Sequence, residues 1–188
     1  MKTYALFIFV LTVMISFQDA FGQNDQEKEI YRFISSTINS NTTKFNLREV
    51  MVVYPFTDDS RSYFNDTIFK QSDIDTFKLQ IENNKFLNWN QSLIKNSNVI
   101  SSKEINRIFK SKKMFNGRGR QNGWKNFRSK YGTCLTSYSL PLFSSGLKYC
   151  VFFQWTQCDY LMGAGSVVIY YNENGTWMYY KLLMSGIS

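Results

Sequence analysis

Apolar residues recur at helical spacing through the first half of this chain and at strand spacing through the second. Ile30, Phe33, Ile34 and Ile38 share one face of a helix predicted over residues 25–39, with Asn24 and Glu27 at capping-box spacing. An extended run from Val50 to Tyr54 stops at Pro55, whose ring disfavours helix in the residue before it. Ser72 and Asp75 are placed to cap a second helix carrying Ile74, Phe77 and Ile81, and Ser101 and Glu104 to cap a third carrying Ile105, Ile108 and Phe109. Trp124, Phe127 and Tyr131 then fall on one side of a short fourth helix, with Lys125, Arg128 and Lys130 on its other faces.

Beyond Tyr131 the pattern becomes alternating or continuous apolar runs separated by turn residues, which predicts strands near 135–143, 148–156, 166–172 and 176–184. Asn174 and Gly175 form a turn pair suited to the last hairpin. The predicted fold class is α+β: N-terminal helices packed on a C-terminal antiparallel β-meander of about four strands. Pairing around that turn sets Tyr170 opposite Trp177 and Val168 opposite Tyr179, with Ile169 opposite Met178 on the other face. Both faces of the hairpin are therefore apolar. Either a partner covers the face that the helices leave, or the tyrosine hydroxyls reach solvent from a one-sided sheet.

The first residues change the picture of where the chain goes. MKTYALFIFVLTVMISFQDAFGQ has a one-charge start at Lys2, an apolar run from Tyr4 to about Phe17 and small residues Ala20 and Gly22. This is the layout of a signal peptide over residues 1–22, leaving one domain over 23–188, exported and either periplasmic or secreted. The apolar run is short for a membrane span and no second one follows, so no transmembrane segment is expected in the mature chain. Lys2 and Asp19 cancel, so the net charge of +8 belongs to the mature domain.

The composition also removes chemistry. The chain has no histidine, which excludes histidine bases, Ser-His and Cys-His pairs and histidine metal sites. Three cysteines are too few for a four-thiolate zinc site. Asp58, Asp59, Asp66, Asp73 and Asp75 form one acidic neighbourhood, read as turns and caps and not as an acid–base pair, and the calcium-loop pattern is missing. NGRGRQNG, with Gly117, Gly119 and Gly123, lacks a preceding strand and reads as a loop presenting two arginines, not a nucleotide site. The expectation is a non-enzymatic protein with no metal and no cofactor.

The stretch CDYLMGAG, residues 158–165, poses a choice between a reactive thiol and a stapled corner. A turn at Ser144 to Leu147 sets Cys134 opposite residue 157, so a Cys134–Cys158 disulfide is expected. It leaves Cys150 opposite Pro141 as a buried free thiol. Gly163 and Gly165 would let the chain leave the corner through conformations closed to other residues.

The run WKNFRSKYG, then SLPLF, YCVFFQW, CDYLMGAG and NENGTW resembles a group of uncharacterised secreted bacterial proteins, over roughly residues 86–188. In that group a W-x-x-F-x-x-x-Y helix precedes a C-G-x-x-C-G-x-G-like loop and an N-G-x-W hairpin. Here Asp159 stands where glycine is usual and Met162 where the second cysteine is usual, which removes a dithiol site and fits Cys134 as the replacement partner. The resemblance implies fold and export and carries no activity.

Charge is densest from Lys103 to Lys130, where Lys103, Arg107, Lys110, Lys112, Lys113, Arg118, Arg120, Lys125, Arg128 and Lys130 are opposed in sequence by Glu104 alone. Arg118, Arg120, Lys125 and Arg128 are the candidate ligand contacts, with interleaved aromatics able to stack on bases or sugars of an acidic polymer. The alternatives are a solvated basic face, and a protein-interaction or inhibitor module that uses the aromatic sheet face against another exported protein.

Overall fold

The computed structural model describes residues 26–38, 43–52, 68–83, 88–109, 118–132 and 134–187, with the backbone alone for 118–120. The leader, the aspartates at 58, 59 and 66, and the stretch from Lys110 to Gly117 lie outside the described residues.

Four helices and a seven-stranded mixed sheet make up the described fold. Helix α1 (26–37) comes first, then β1 (Phe45–Arg48), α2 (Gln71–Asn83), β2 (Ser97–Ile100), α3 (Ser102–Phe109) and α4 (Arg118–Tyr131). β3 (Leu135–Tyr138), β4 (Leu142–Phe143), β5 (Tyr149–Asp159), β6 (Met162–Glu173) and β7 (Thr176–Ile187) complete it. The sheet runs β2-β1-β3-β5-β6-β7, with β4 continuing beside β5 where β3 stops.

The α+β class holds; the sheet is larger than the expected meander. β1 pairs in parallel with both β2 and β3, through Phe45 with Ser97 and Asn46 with Leu135. Parallel pairing needs long crossovers, and α2 and the α3–α4 pair lie within them. These two four-residue strands lie among the helices, too short for a period-2 pattern to stand out.

Side-chain alternation divides the core. Phe33 of α1 meets Phe152, Tyr170 and Trp177 edge-on at centroid distances of 5.1, 5.1 and 5.7 Å, so α1 packs on that face of the sheet. Leu135 lies on the opposite face from Tyr138 and Phe152 and joins Ile100, Ile105, Trp124 and Phe127 in a second cluster under α3 and α4. Trp124, Phe127 and Tyr131 thus share one face, as their spacing predicts.

Several local expectations change. Asp73, not Ser72 or Asp75, caps α2, its carboxylate accepting from Lys70 N at 3.0 Å and from Ser145 N at 2.9 Å. Ser101 caps α3 as expected, its Oγ accepting from Glu104 N at 3.2 Å. Arg118, Gly119 and Arg120 form the first turn of α4 instead of a loop. Gly123 sits where a Cβ would come within 2.5 Å of the Phe109 ring, which lets α3 and α4 approach closely.

The last hairpin turns tightly at Asn174 and Gly175, with φ of 51° and 89°, as the sequence predicts. Its register differs: the two-residue turn at Asn174 and Gly175 pairs Glu173 with Thr176, one residue later than expected, so Asn172 faces Trp177 and Tyr170 faces Tyr179. Farther along, two bulges in β7 shift the pairing again and bring Val168 opposite Leu182. Cys150 faces Phe143, not Pro141. A short 3-10 turn, Ser145–Leu147, separates β4 from β5.

Candidate functional site

The cysteine stretch is a hairpin tip. β5 ends at Asp159, Tyr160 and Leu161 turn, and β6 begins at Met162. Cys134 and Cys158 form the disulfide expected from the sequence, and Cys150 is free and buried, its thiol pushed well above its ordinary pKa by burial. Gly163 and Gly165 have no left-handed φ. Gly165 instead lies under the Trp155 indole, where a Cβ would come within 2.3 Å of Cε3.

The basic segment and this tip meet. Lys125 and Arg128 of α4 line a cleft of about 540 Å³ with Gln121, Asn122 and Asp159 to Met162. Arg128 is not free in it, for its guanidinium pairs with Asp159 and holds that carboxyl below its usual pKa. Glu104 is held at about 2 by hydrogen bonds from Arg107 at 2.8 Å and Lys130 Nζ at 2.6 Å, with Tyr131 OH at 3.1 Å adding to them. Of the four candidate contacts, the structure therefore brings Lys125 and Arg128 to one cleft, while the side chains of Arg118 and Arg120 are outside the described atoms. Three cations of the segment are held in ion pairs: Lys130 ties α4 to α3 through Glu104, Arg128 ties α4 to the hairpin through Asp159, and Arg107 pairs with Glu104 within α3.

A cation that sequence reasoning passed over stands on β1. Arg48 projects from an interior strand on the α3 side of the sheet, and its Nε donates to Ser137 Oγ at 3.2 Å. Among the described residues no carboxylate pairs with it, and burial alone lowers its pKa. It lies between a cleft of about 490 Å³, walled by Val50, Met51, Val52, Phe153 and Trp155, and one of about 330 Å³ walled by Phe109, Trp124 and Leu135. The alternation in FNLREV, with Phe45 and Leu47 on one face and Asn46 and Arg48 on the other, is the signal that marks it.

The outer edges of the sheet differ in cover. Gln91 closes β2, its amide accepting from Val99 N at 2.6 Å and donating to Ser97 O at 2.5 Å. Gln80 closes β4 in the same way, through Phe143 N at 2.9 Å and O at 2.7 Å. Among the described residues nothing pairs with the outer edge of β7, where Met178, Tyr179, Tyr180, Leu182, Met184 and Ile187 are 40–91% exposed. Of the aromatics that the sequence set on one hairpin face, Trp177 is buried and Tyr170 packs on Phe33 under α1, while Tyr179 is exposed. Tyr180, exposed on β7, reaches back to Tyr149 and Tyr171 across two strands.

Among the described residues no three metal-ligating side chains gather in one place, and no helix is long and apolar enough to cross a membrane. No family model, curated protein or solved structure matches this chain.

Proposed function

We propose that this chain is an exported, non-enzymatic interaction domain whose contact surface is the outer edge of β7, and that the strand laid against it is β7 of a second copy. The bare apolar edge carries the reading. The sheet's other outer edges are closed by glutamine amides, while among the described residues nothing pairs with the outer edge of β7 along its twelve residues. An antiparallel pair of identical strands is self-consistent, since each residue contact occurs twice about a two-fold axis. Lys181 is the single charge on the strand, so its own copy offers the same nearly uncharged row.

Export rests on the leader layout of residues 1–22, and a disulfide suits the oxidising compartments outside the cytoplasm. The non-enzymatic reading is supported by how the carboxylates are used. Glu29 accepts from Trp177, Glu49 from Ser102 N, Asp73 from two backbone amides, Glu104 from three side chains and Asp159 from Arg128.

Sedimentation of the chain recovered after export tests the reading. With +8 on each copy, the dimer fraction should rise as salt screens their repulsion. Leu182→Lys should give a monomer with an unchanged thermal melt. A parent that stays monomeric from low salt to about 1 M overturns the reading. If that monomer also binds heparin in a way that weakens with salt, contact with acidic polymers through the Lys125 face takes its place.

A further inference from the structure

We propose that the Arg48 cleft binds the carboxylate of an organic monoacid whose apolar body lies against Phe153 and Trp155. The argument begins with position. An interior strand faces neighbours on both sides, and a residue there that points into the domain is normally apolar. Arg48 breaks that rule and, among the described residues, has no anion to offset the loss of hydration. Its sequence neighbour does not serve, because Glu49 Oε2 accepts from Ser102 N at 2.9 Å, at the start of α3.

One hydrogen bond to Ser137 uses Nε alone and fixes the guanidinium. The four Nη donors remain, and their planar fork matches two oxygens of a carboxylate.

The walls narrow the class of ligand. Among the described residues Arg48 is the single cation lining either cleft, where a phosphate dianion would call for several donors of positive charge. Around it stand Val50, Met51, Val52, Ile105, Phe153 and Trp155, an apolar and aromatic lining with Ser102, Asn106 and Ser137 as the polar exceptions. One half-buried cation on the wall of an apolar cleft of about 490 Å³ fits one negative charge at the end of an apolar body. A fatty acid and the C-terminus of an apolar peptide share that chemistry.

The site is separate from the β7 edge, so the two readings fail independently. Trp155 and Trp124 flank Arg48, and their fluorescence reports on its clefts.

The test titrates the chain with decanoate and with N-acetyl-Leu-Phe carrying a free carboxylate, beside decanol, the peptide amide and inorganic phosphate. At least one carboxylate should bind about tenfold or more tighter than its neutral counterpart, and phosphate should not bind. Which carboxylate wins separates the lipid from the peptide source. Arg48→Met should abolish the preference while melting at or above the parent temperature, because a cation kept for a ligand is a liability in the empty protein. Arg48→Lys should bind more weakly, keeping charge without the fork. Equal binding by Arg48→Met overturns the proposal, and so does failure of every carboxylate to bind the parent. If Arg48→Met does not fold, equal binding by Arg48→Lys and the parent overturns the bidentate assignment.

Discussion

Trp177 on β7 donates its indole N–H to Glu29 on α1 at 3.0 Å, in the buried core, across 148 residues of sequence. The same carboxylate accepts from Arg32 Nη1 at 3.3 Å, and Arg32 also donates to Gly175 O, with Nη2 at 2.7 Å. Helix α1 thereby clamps the tip of the β6–β7 hairpin through one acid and one base a turn apart.

Replacing Trp177 by Phe should cost about 2–4 kcal/mol, since it takes the donor from Glu29 Oε1, leaving Arg32 on Oε2 alone, and trims the indole packing against Phe33 and Phe143. Glu29→Gln keeps an acceptor for the indole and should cost about 1–2 kcal/mol. Trp89 is a control: it is equally buried, but its Nε1 has no partner among the described residues, so Trp89→Phe should be the milder of the two indole changes. Urea unfolding of the three variants ranks them, and a Trp89→Phe loss equal to that of Trp177→Phe would count against the clamp.

The cysteines allow a count. Native chain should react with no thiol reagent, denatured chain with one equivalent through Cys150, and denatured, reduced chain with three. Reduction should lower stability by about 3 kcal/mol, the cost of reopening a 24-residue loop in the unfolded chain. Two reactive thiols in the native protein would show that the bridge does not form.

Acid should loosen the α3–α4 pair. The Glu104 carboxyl titrates at about 2 in the fold, held down first by Arg107 and then by Lys130, against an ordinary 4.5. A depressed acid stabilises fully above its unfolded pKa and loses that effect as pH falls through the folded value. Asp159 shifts the same way beside Arg128. Melting temperature should therefore fall from about pH 5 toward pH 2, less steeply in Glu104→Gln and less steeply in high salt. A Glu104→Gln profile parallel to the parent's would remove this network from the account.

The helices were legible because each carries its own evidence: Ile30, Phe33 and Ile34 mark a buried stripe, and Ser101 bonds the amide it was placed to bond. The disulfide was legible because a short turn fixes which residues face each other, and Leu135 opposite Gln157 sets Cys134 beside Cys158. Register beside the turn was legible in Asn174 and Gly175, since a two-residue turn pairs Glu173 with Thr176, and the expected pairs missed it by centring the turn one residue early. Farther along β7 the bulges at Tyr180 and Leu183 shift the pairing again, and no turn residue announces them. The parallel strands were hidden for a related reason. Their partners lie about 50 and 90 residues away, and no local pattern encodes that distance. Arg48 and the free β7 edge become visible only once those pairings show which strand is interior and which is outermost.

Gly165 couples the hairpin to the proposed ligand cleft. It faces Trp155 across β5 and β6, and an added Cβ would meet Trp155 Cε3 at 2.3 Å and the Gln154 backbone oxygen at 2.6 Å. The indole can swing away but the carbonyl is part of the strand, so Gly165→Ala should cost about 1–3 kcal/mol as an overpacked site. Since φ at Gly165 is not left-handed, the cost comes from space and not from backbone conformation. Trp155 also walls the cleft beside Arg48, so the displaced ring should shift the tryptophan emission and weaken carboxylate binding even where the variant stays folded. Gly132→Ala is the contrast: φ is +92° there and nothing lies within 4 Å, so it should destabilise through backbone strain alone and leave the emission and the binding of the folded protein unchanged. If both variants lose stability and neither changes emission or binding, Trp155 is not held by Gly165 in the way the packing implies.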